Sequence, residues 1–315
     1  MRVVLAIDGS AASNAARDLV ASLSWPEATV IRVVAVVEPM SALLVGIVPY
    51  DQPHFEEREI SASLESRLAD AASLLSGPGR VIETRLLRGR PASLIVEEAT
   101  DVRAGLVVVG SRGLGPIRSM LLGSVSAEVV DHSPCPVLVA RGSSIGSILV
   151  AVDGSKSARQ VVEHLADATY LVGHRLHVLS VGPTPHDVRP YWPLDTTGPV
   201  AGSIDDLVTE EHRRSEIHAA RAAESLMKDG LDVRWSTSSG DPAHEIIEAA
   251  RDFGCDLIVM GSRGLTGLDR LLTGSVARNV LLHAPTSVLI VREPIRERQP
   301  EQAREPVGQV ALSTG

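Results

Sequence analysis

The feature that most constrains the fold of this chain is an internal duplication. Residues 89–141 align with residues 240–292 without a gap, and 24 of the 53 aligned positions are identical. Self-similarity at a fixed offset indicates a duplicated structural unit. The chain has 315 residues, enough for two domains that each enclose a core. We therefore predict one domain at 1–142, a second at 147–293, and a mobile tail at 294–315 that lacks apolar periodicity.

Each copy shows the same alternation of predicted strands and helices. In the first copy, continuous apolar runs typical of buried parallel strands fall at 3–7, 29–37, 81–87, 106–109 and 137–139. Helical segments separate them, and Ser13 is the predicted N-cap of the first helix. Irregular stretches at 40–55 and 182–204 are too long for simple connections. The expected fold class is α/β, with two tandem five-stranded parallel sheets of the Rossmann-like kind, covered by helices on both faces.

A glycine-rich loop follows the fourth predicted strand of each copy. Its glycines are Gly110, Gly113 and Gly123 in the first copy and Gly261, Gly264 and Gly274 in the second. Glycines that lead from a strand into a helix let backbone N–H groups approach phosphate oxygens, and they direct a helix N-terminus at the same oxygens. The loop is therefore predicted to bind phosphate groups.

Polar side chains accompany this loop at equivalent positions of the two copies. Ser124 and Ser275 stand where the next helix is expected to start, so their hydroxyl groups either cap that helix or bind a phosphate. Arg112 and Arg263 lie inside the loop, where each side chain either reaches a phosphate or extends into solvent.

Asp8 and Asp153 end the first predicted strand of each copy. A carboxylate at the end of a buried strand needs a polar partner, either the start of the next helix or the ribose of a ligand. Open parallel sheets bind ligands beyond the carboxyl ends of their strands, where the strand order reverses. We therefore expect Asp8 and Gly110 to border one crevice.

Several classes of function are disfavoured. The pattern Gly-x-x-x-x-Gly-Lys-Ser/Thr does not occur, and no nucleophile, base and orienting acid can be assembled from the sequence. The net charge of -9 argues against a nucleic-acid partner, and no apolar run reaches the ~18 residues of a membrane span. Cys135 and Cys255 are not at equivalent positions and have no C-x-x-C partner, which predicts free thiols in the cytoplasm. The sequence leaves open whether a metal is bound.

The glycine pattern, the strand end Ala6-Ile7-Asp8-Gly9-Ser10 and the closing strand after Pro136 together resemble the universal stress protein family. The resemblance covers about residues 1–293 in tandem. The glycine motif, in which Gly-x-x-Gly is followed after nine residues by Gly-Ser, is similar to the motif of the ATP-binding branch of the family. The resemblance implies a nucleotide-binding domain in each half that holds ATP with Mg²⁺.

The resemblance also implies roles for individual residues. The aspartate that ends the first strand would contact ribose or adenine, a valine that ends the second strand would line the adenine pocket, and the glycine loop would hold the phosphates. The valine corresponds to Val36, and its favoured counterpart is Val181. The implied nucleotide-binding residues are Asp8, Val36, Gly110, Arg112, Gly113, Gly123, Ser124 and Val125, and in the second half Asp153, Val181, Gly261, Arg263, Gly264, Gly274, Ser275 and Val276.

Assembly is implied by the same resemblance. The two domains would pair through their last strands, at 137–139 and 288–291, as an intramolecular pseudo-dimer. A further homodimer is compatible with this pairing.

Three functions remain open at this point. The first is an ATP-binding stress-response sensor or regulator with at most slow hydrolysis and an unidentified regulatory protein partner. The second is an enzyme of the same superfamily that hydrolyses ATP or transfers adenylate. The third is a nucleotide-free interaction module. Rapid hydrolysis needs a positioned water and stabilisation of the charge on the transferred group, which favours the sensor because no base is evident.

Overall fold

A computed structural model describes residues 1–38, 52–113, 122–185, 204–264 and 273–292. The predicted irregular stretches at 40–55 and 182–204 lie mostly outside these ranges. The predicted tail at 294–315 lies outside them entirely.

Each half contributes five strands, as the apolar runs predict. The strands of the first half are β1 (Arg2–Ala6), β2 (Thr29–Val37), β3 (Arg80–Arg88), β4 (Leu106–Gly110) and β5 (Val137–Ala140). Those of the second half are β6 (Ser147–Ala151), β7 (Arg175–Gly182), β8 (Asp232–Ser239), β9 (Leu257–Gly261) and β10 (Ser287–Val291). Most of their apolar residues are buried because the sheet is covered on both faces, whereas Val81 and Trp235 on the edge strands β3 and β8 are exposed.

The described residues contain four α-helices in each half. They are α1 (Ala11–Ser22), α2 (Gln52–Leu75), α3 (Pro91–Asp101) and α4 (Ser124–His132), and then α5 (Lys156–Asp167), α6 (Ile204–Lys228), α7 (Pro242–Asp252) and α8 (Ser275–His283). The predicted N-cap of α1 is wrong: Ser10 occupies that position, and its hydroxyl accepts a hydrogen bond from the Ser13 N–H at 3.1 Å. Ser13 lies inside the first turn, where its hydroxyl donates to the Ser10 carbonyl.

The strand order within each half follows from parallel crossovers. In the first half the order is β3-β2-β1-β4-β5, and the second half repeats it as β8-β7-β6-β9-β10. The two halves join where β5 and β10 pair antiparallel, with Leu138 opposite Leu289. The predicted pairing of the last strands within the chain is therefore confirmed. It converts two five-stranded parallel sheets into one ten-stranded sheet.

Alternate residues of each strand feed two cores on opposite faces of the sheet. On β1, Val3 and Leu5 pack into one core together with Leu19 of α1, whereas Val4 packs into the other core together with Ile95 of α3. Each core includes residues of both halves, so the cores continue across the β5–β10 junction.

An aromatic contact joins the halves on the face covered by α1 and α5. The Trp25 ring, which follows α1, stacks on the ring of Tyr170 with centroids 5.2 Å apart. The Tyr170 hydroxyl lies 2.8 Å from Nε2 of His164 in α5. Burial lowers the pKa of His164 against a smaller opposing effect of Asp167. The neutral imidazole is therefore the form that the fold favours.

This burial makes part of the stability depend on pH. Because the pKa of His164 is lowered in the folded protein, the unfolded chain binds more protons just below the ordinary histidine pKa of about 6.5. The free energy of unfolding should then decrease as the pH falls below about 6.5. Urea titrations at about pH 7.5 and about pH 5.5, one on each side of that pKa, should show that the free energy of unfolding decreases less for His164→Gln than for the unsubstituted protein. An equal decrease in both proteins would contradict this assignment.

Candidate functional site

The strand order reverses between β1 and β4, and the predicted site residues meet there. Asp8 follows β1, and the glycine loop follows β4. A Cβ atom built on Gly113 would lie 2.7 Å from Asp8 Oδ2, so the loop passes directly over the carboxylate. In the second half a Cβ on Gly264 would lie 2.8 Å from Asp153 Oδ2. The aspartate and the glycine loop, which were expected to border one crevice, are therefore adjacent in both halves.

One oxygen of each aspartate organises the turn before the next helix. Asp8 Oδ1 accepts a hydrogen bond from the Ser10 N–H at 2.9 Å, and Asp153 Oδ1 accepts one from the Ser155 N–H at 3.0 Å. The serine hydroxyl groups, and not the carboxylates, cap α1 and α5. Each half-buried carboxylate thus directs its second oxygen toward the glycine loop.

Backbone hydrogen bonds close the ends of each glycine loop. The Gly123 N–H donates to the Ser111 carbonyl at 2.7 Å, and the Gly274 N–H donates to the Ser262 carbonyl at the same distance. In the first half the Ser10 hydroxyl also donates to the Arg112 carbonyl at 3.0 Å. The segments 114–121 and 265–272 between these closures lie outside the described residues.

The helices that follow the two loops begin without a side-chain cap. Gly123 and Gly274 are the N-cap residues of α4 and α8, and neither helix start has a side-chain capping bond. By contrast, α1 and α5 are capped by serine hydroxyl groups. Ser124 and Ser275 are exposed at the first helical position. The partial positive charge at both helix N-termini therefore has no side-chain capping partner, an arrangement that suits an anion.

The valines of the predicted site occupy two different settings. Val125 and Val276, in the first turns of α4 and α8, are half-buried and pack against the core. Val36 and Val181 are half-buried near the carboxyl ends of β2 and β7. Since β2 and β7 neighbour β1 and β6, both valines lie one strand away from the aspartates, where they pack against the core.

Helix packing requires glycine at two of the predicted site positions, Gly110 and Gly261, a cause that their spacing in the sequence does not reveal. A Cβ on Gly110 would lie 2.7 Å from the backbone N of Ser13 and from the carbonyl carbon of Ala12, which belong to α1. A Cβ on Gly261 would lie 2.6 Å from Ser157 Cβ in α5. These glycines allow the first helix of each half to approach the fourth strand closely.

The long helices α2 and α6 bring side chains to the site that were not predicted. Arg67 Nη1 lies 3.4 Å from the Gly9 carbonyl oxygen, and the Arg67 guanidinium covers the Gly9 backbone. The ring of His218 occupies the corresponding place over Gly154. Arg67 and His218 stand 151 residues apart, as do all equivalent positions of the aligned segments 89–141 and 240–292, but their different side chains hide the equivalence.

The described residues contain neither a cluster of metal ligands nor a membrane-spanning helix. No group of three or more His, Cys, Asp or Glu side chains in the described ranges is arranged to hold a metal ion. Among the same residues, no helix has the length and apolar character needed to cross a membrane.

Comparison with known proteins identifies a family. The model of the universal stress protein family matches residues 1–141 and 145–292. A universal stress protein of Mycobacterium tuberculosis is 26% identical over 298 residues, which cover 92% of this chain and 96% of that protein. One from Thermus aquaticus is 35% identical over 142 residues, covering 44% of this chain and 97% of that protein. The crystal structure of an Archaeoglobus fulgidus universal stress protein has a similar fold, with a TM-score of 0.63 at 22% identity, covering 92% of this chain and 98% of that one.

The close approach of α1 to β4 predicts a cost for Gly110→Ala. The added methyl group would overlap backbone atoms, which cannot rotate away as a flexible side chain can. We expect a loss of about 1 to 3 kcal/mol in the free energy of unfolding, measured by urea titration. Gly77→Ala is the matched control, because its Cβ would meet only the Arg80 side chain at 3.8 Å. Equal stability of the two variants would contradict the packing role.

Proposed function

Because this chain belongs to the universal stress protein family in tandem form, we propose that it binds ATP at one site in each half. In this proposal the protein is a cytoplasmic stress-response sensor or regulator that hydrolyses ATP slowly at most. The observation that carries the proposal is the pair of uncapped helix N-termini, each reached through a glycine loop that passes over an aspartate.

The geometry supports separate roles for the two ends of the crevice. The N-terminal turns of α4 and α8 offer backbone N–H donors and a partial positive charge to phosphate groups. Asp8 and Asp153 offer a carboxylate oxygen that suits the hydroxyl groups of a ribose or the amino group of adenine. Val36 and Val181 provide an apolar edge for the base. We propose that Arg112 and Arg263, which are exposed within the loops, contact the phosphates.

The same proposal includes Mg²⁺, a regulatory protein partner and a possible homodimer. Mg²⁺ is usually bound by substrate phosphates with one or two carboxylates, so it would enter with ATP. A regulatory protein that recognises the nucleotide-bound state is the proposed output. A homodimer would need a surface other than β5 and β10, since these strands already pair with each other.

Isothermal titration calorimetry with ATP and Mg²⁺ tests the number of sites. We expect two ATP per chain for the unsubstituted protein, about one for Gly113→Ala or Gly264→Ala, and none for the double variant. Each methyl group would collide with the carboxylate oxygen of its own half and narrow the approach of a phosphate. Gly77→Ala should retain both sites. Absence of binding to the unsubstituted protein would refute the proposal and favour a nucleotide-free interaction module.

Phosphate release distinguishes a sensor from an enzyme. We expect ATP turnover well below about 1 per second, the low end of ordinary enzymes. Turnover above that rate, measured with Mg²⁺ present, would favour the hydrolase. Adenosine and cyclic AMP should bind more weakly than ATP, because adenosine has no phosphate and cyclic AMP has a single, singly charged one for the helix N-termini and loop arginines to attract. Equal affinities for adenosine and ATP would contradict the phosphate site.

A further inference from the structure

The side chains of two arginines at equivalent positions reach from one half of the molecule to hydrogen-bond the other. Arg141 follows β5, and its guanidinium donates to the carbonyl oxygens of Leu281 and Thr286 in the second half, the latter at 3.2 Å. Arg292 follows β10, and its Nη1 donates to the Asp131 carbonyl in the first half at 2.8 Å. The antiparallel pairing of β5 and β10 makes the exchange reciprocal.

The carbonyl groups that receive these arginines belong to the helices of the candidate sites. Leu281 lies in the last turn of α8, and Asp131 lies in the last turn of α4. Carbonyl groups of a last helical turn have no partner within the helix, and a cation there is favoured by the helix dipole. Each arginine therefore anchors the C-terminal end of the helix whose N-terminal end forms the candidate anion site of the opposite half.

A direct contact reinforces the anchoring at the second site. The hydroxyl of Thr273, which immediately precedes Gly274, donates to Asp131 Oδ1 of the first half at 2.7 Å. Helices as short as α4 and α8 depend on tertiary contacts for their stability. The position of α8 and its loop thus depends on two side chains of the other half, Arg141 at one end and Asp131 at the other.

Each crossing arginine also borders the glycine loop of its own half. The Ser111 N–H donates to the carbonyl of Ala140, the residue before Arg141, at 2.9 Å. Burial, and to a lesser extent the charge of Arg112, lowers the pKa of Arg141 to about 10. Toward its own half Arg141 thus faces a like charge, whereas toward the opposite half its guanidinium donates hydrogen bonds to carbonyl oxygens.

We propose that Arg141 and Arg292 are reciprocal positioning residues, each of which holds the loop helix of the opposite half in place for anion binding. The inference rests on the proposed nucleotide sites, and it deepens that proposal by making each site depend on a residue of the other half. Loss of Arg141 should weaken the second site and leave the first largely unchanged, because its hydrogen bonds are made to the opposite half.

Calorimetry on single-site proteins tests this crossed dependence. In the Gly113→Ala background, which retains the second site, Arg141→Gln should weaken ATP binding by about fivefold or more, the lower end of typical coupling between sites. In the Gly264→Ala background the same substitution should not weaken binding. Arg292→Gln should weaken the first site in the Gly264→Ala background, with a smaller loss at the second site, because Arg292 Nη2 also donates to the Thr273 hydroxyl of its own half at 3.5 Å. Arg141→Lys, which keeps the charge but loses the two-pronged donor, should give an intermediate loss. Arg251→Gln, an exposed arginine of α7, controls for net charge.

Hydrogen exchange without nucleotide gives a second, independent measurement. Arg141→Gln should speed exchange of the hydrogen-bonded amides of α8, from Arg278 onward, and not of those of α4, whereas Arg292→Gln should speed exchange mainly in α4. A change confined to the half that carries the substitution, or equal in both halves, would overturn the inference. If neither single-site protein binds ATP, the proposed function fails, and the exchange pattern alone decides whether the arginines position the opposite helices.

Discussion

The antiparallel pairing of β5 with β10 is the contact on which the rest of the molecule depends. Both strands are buried along their whole length at the centre of a ten-stranded sheet. Alone, each half would expose the backbone of a short apolar edge strand, which readily pairs with other chains. The pairing satisfies that edge within the chain. It also brings α4 and α8 near the junction, where Arg141 and Arg292 can reach them.

The glycines of the loop motif are required for different physical reasons, although they form a single pattern in the sequence. Gly110 makes room for α1, Gly113 passes over the Asp8 carboxylate, and Gly123 serves as the N-cap of α4 while its N–H closes the loop. Only the last two bear directly on an anion. A phosphate-loop interpretation from sequence therefore assigns to ligand contact a glycine that the packing of a helix already requires.

The sequence predicted the fold more completely than the site. Strands buried on both faces leave continuous apolar runs, so all five strands of the first copy were recognisable, and the duplication supplied the second set. The cap of α1 was misplaced because Ser10 and Ser13 are both good capping residues three positions apart, and local spacing does not rank them. Arg67 and Arg141 were missed for another reason. Their partners lie far away in sequence, and a single arginine on a helix or after a strand resembles any solvated charge.

The glycine loops and aspartates are duplicated, whereas some of the groups that hold them have diverged. Ser126 donates to the Gly110 carbonyl at 2.6 Å, but its counterpart in the second half is Ala277, which has no hydroxyl. Arg67 covers the turn in one half and His218 covers it in the other. A single hydrogen bond contributes roughly 1 kcal/mol, and about 1.4 kcal/mol changes an affinity tenfold. Two or three such differences are enough to separate the affinities of two sites with the same glycine spacing, so duplication of the motif does not require duplication of the affinity.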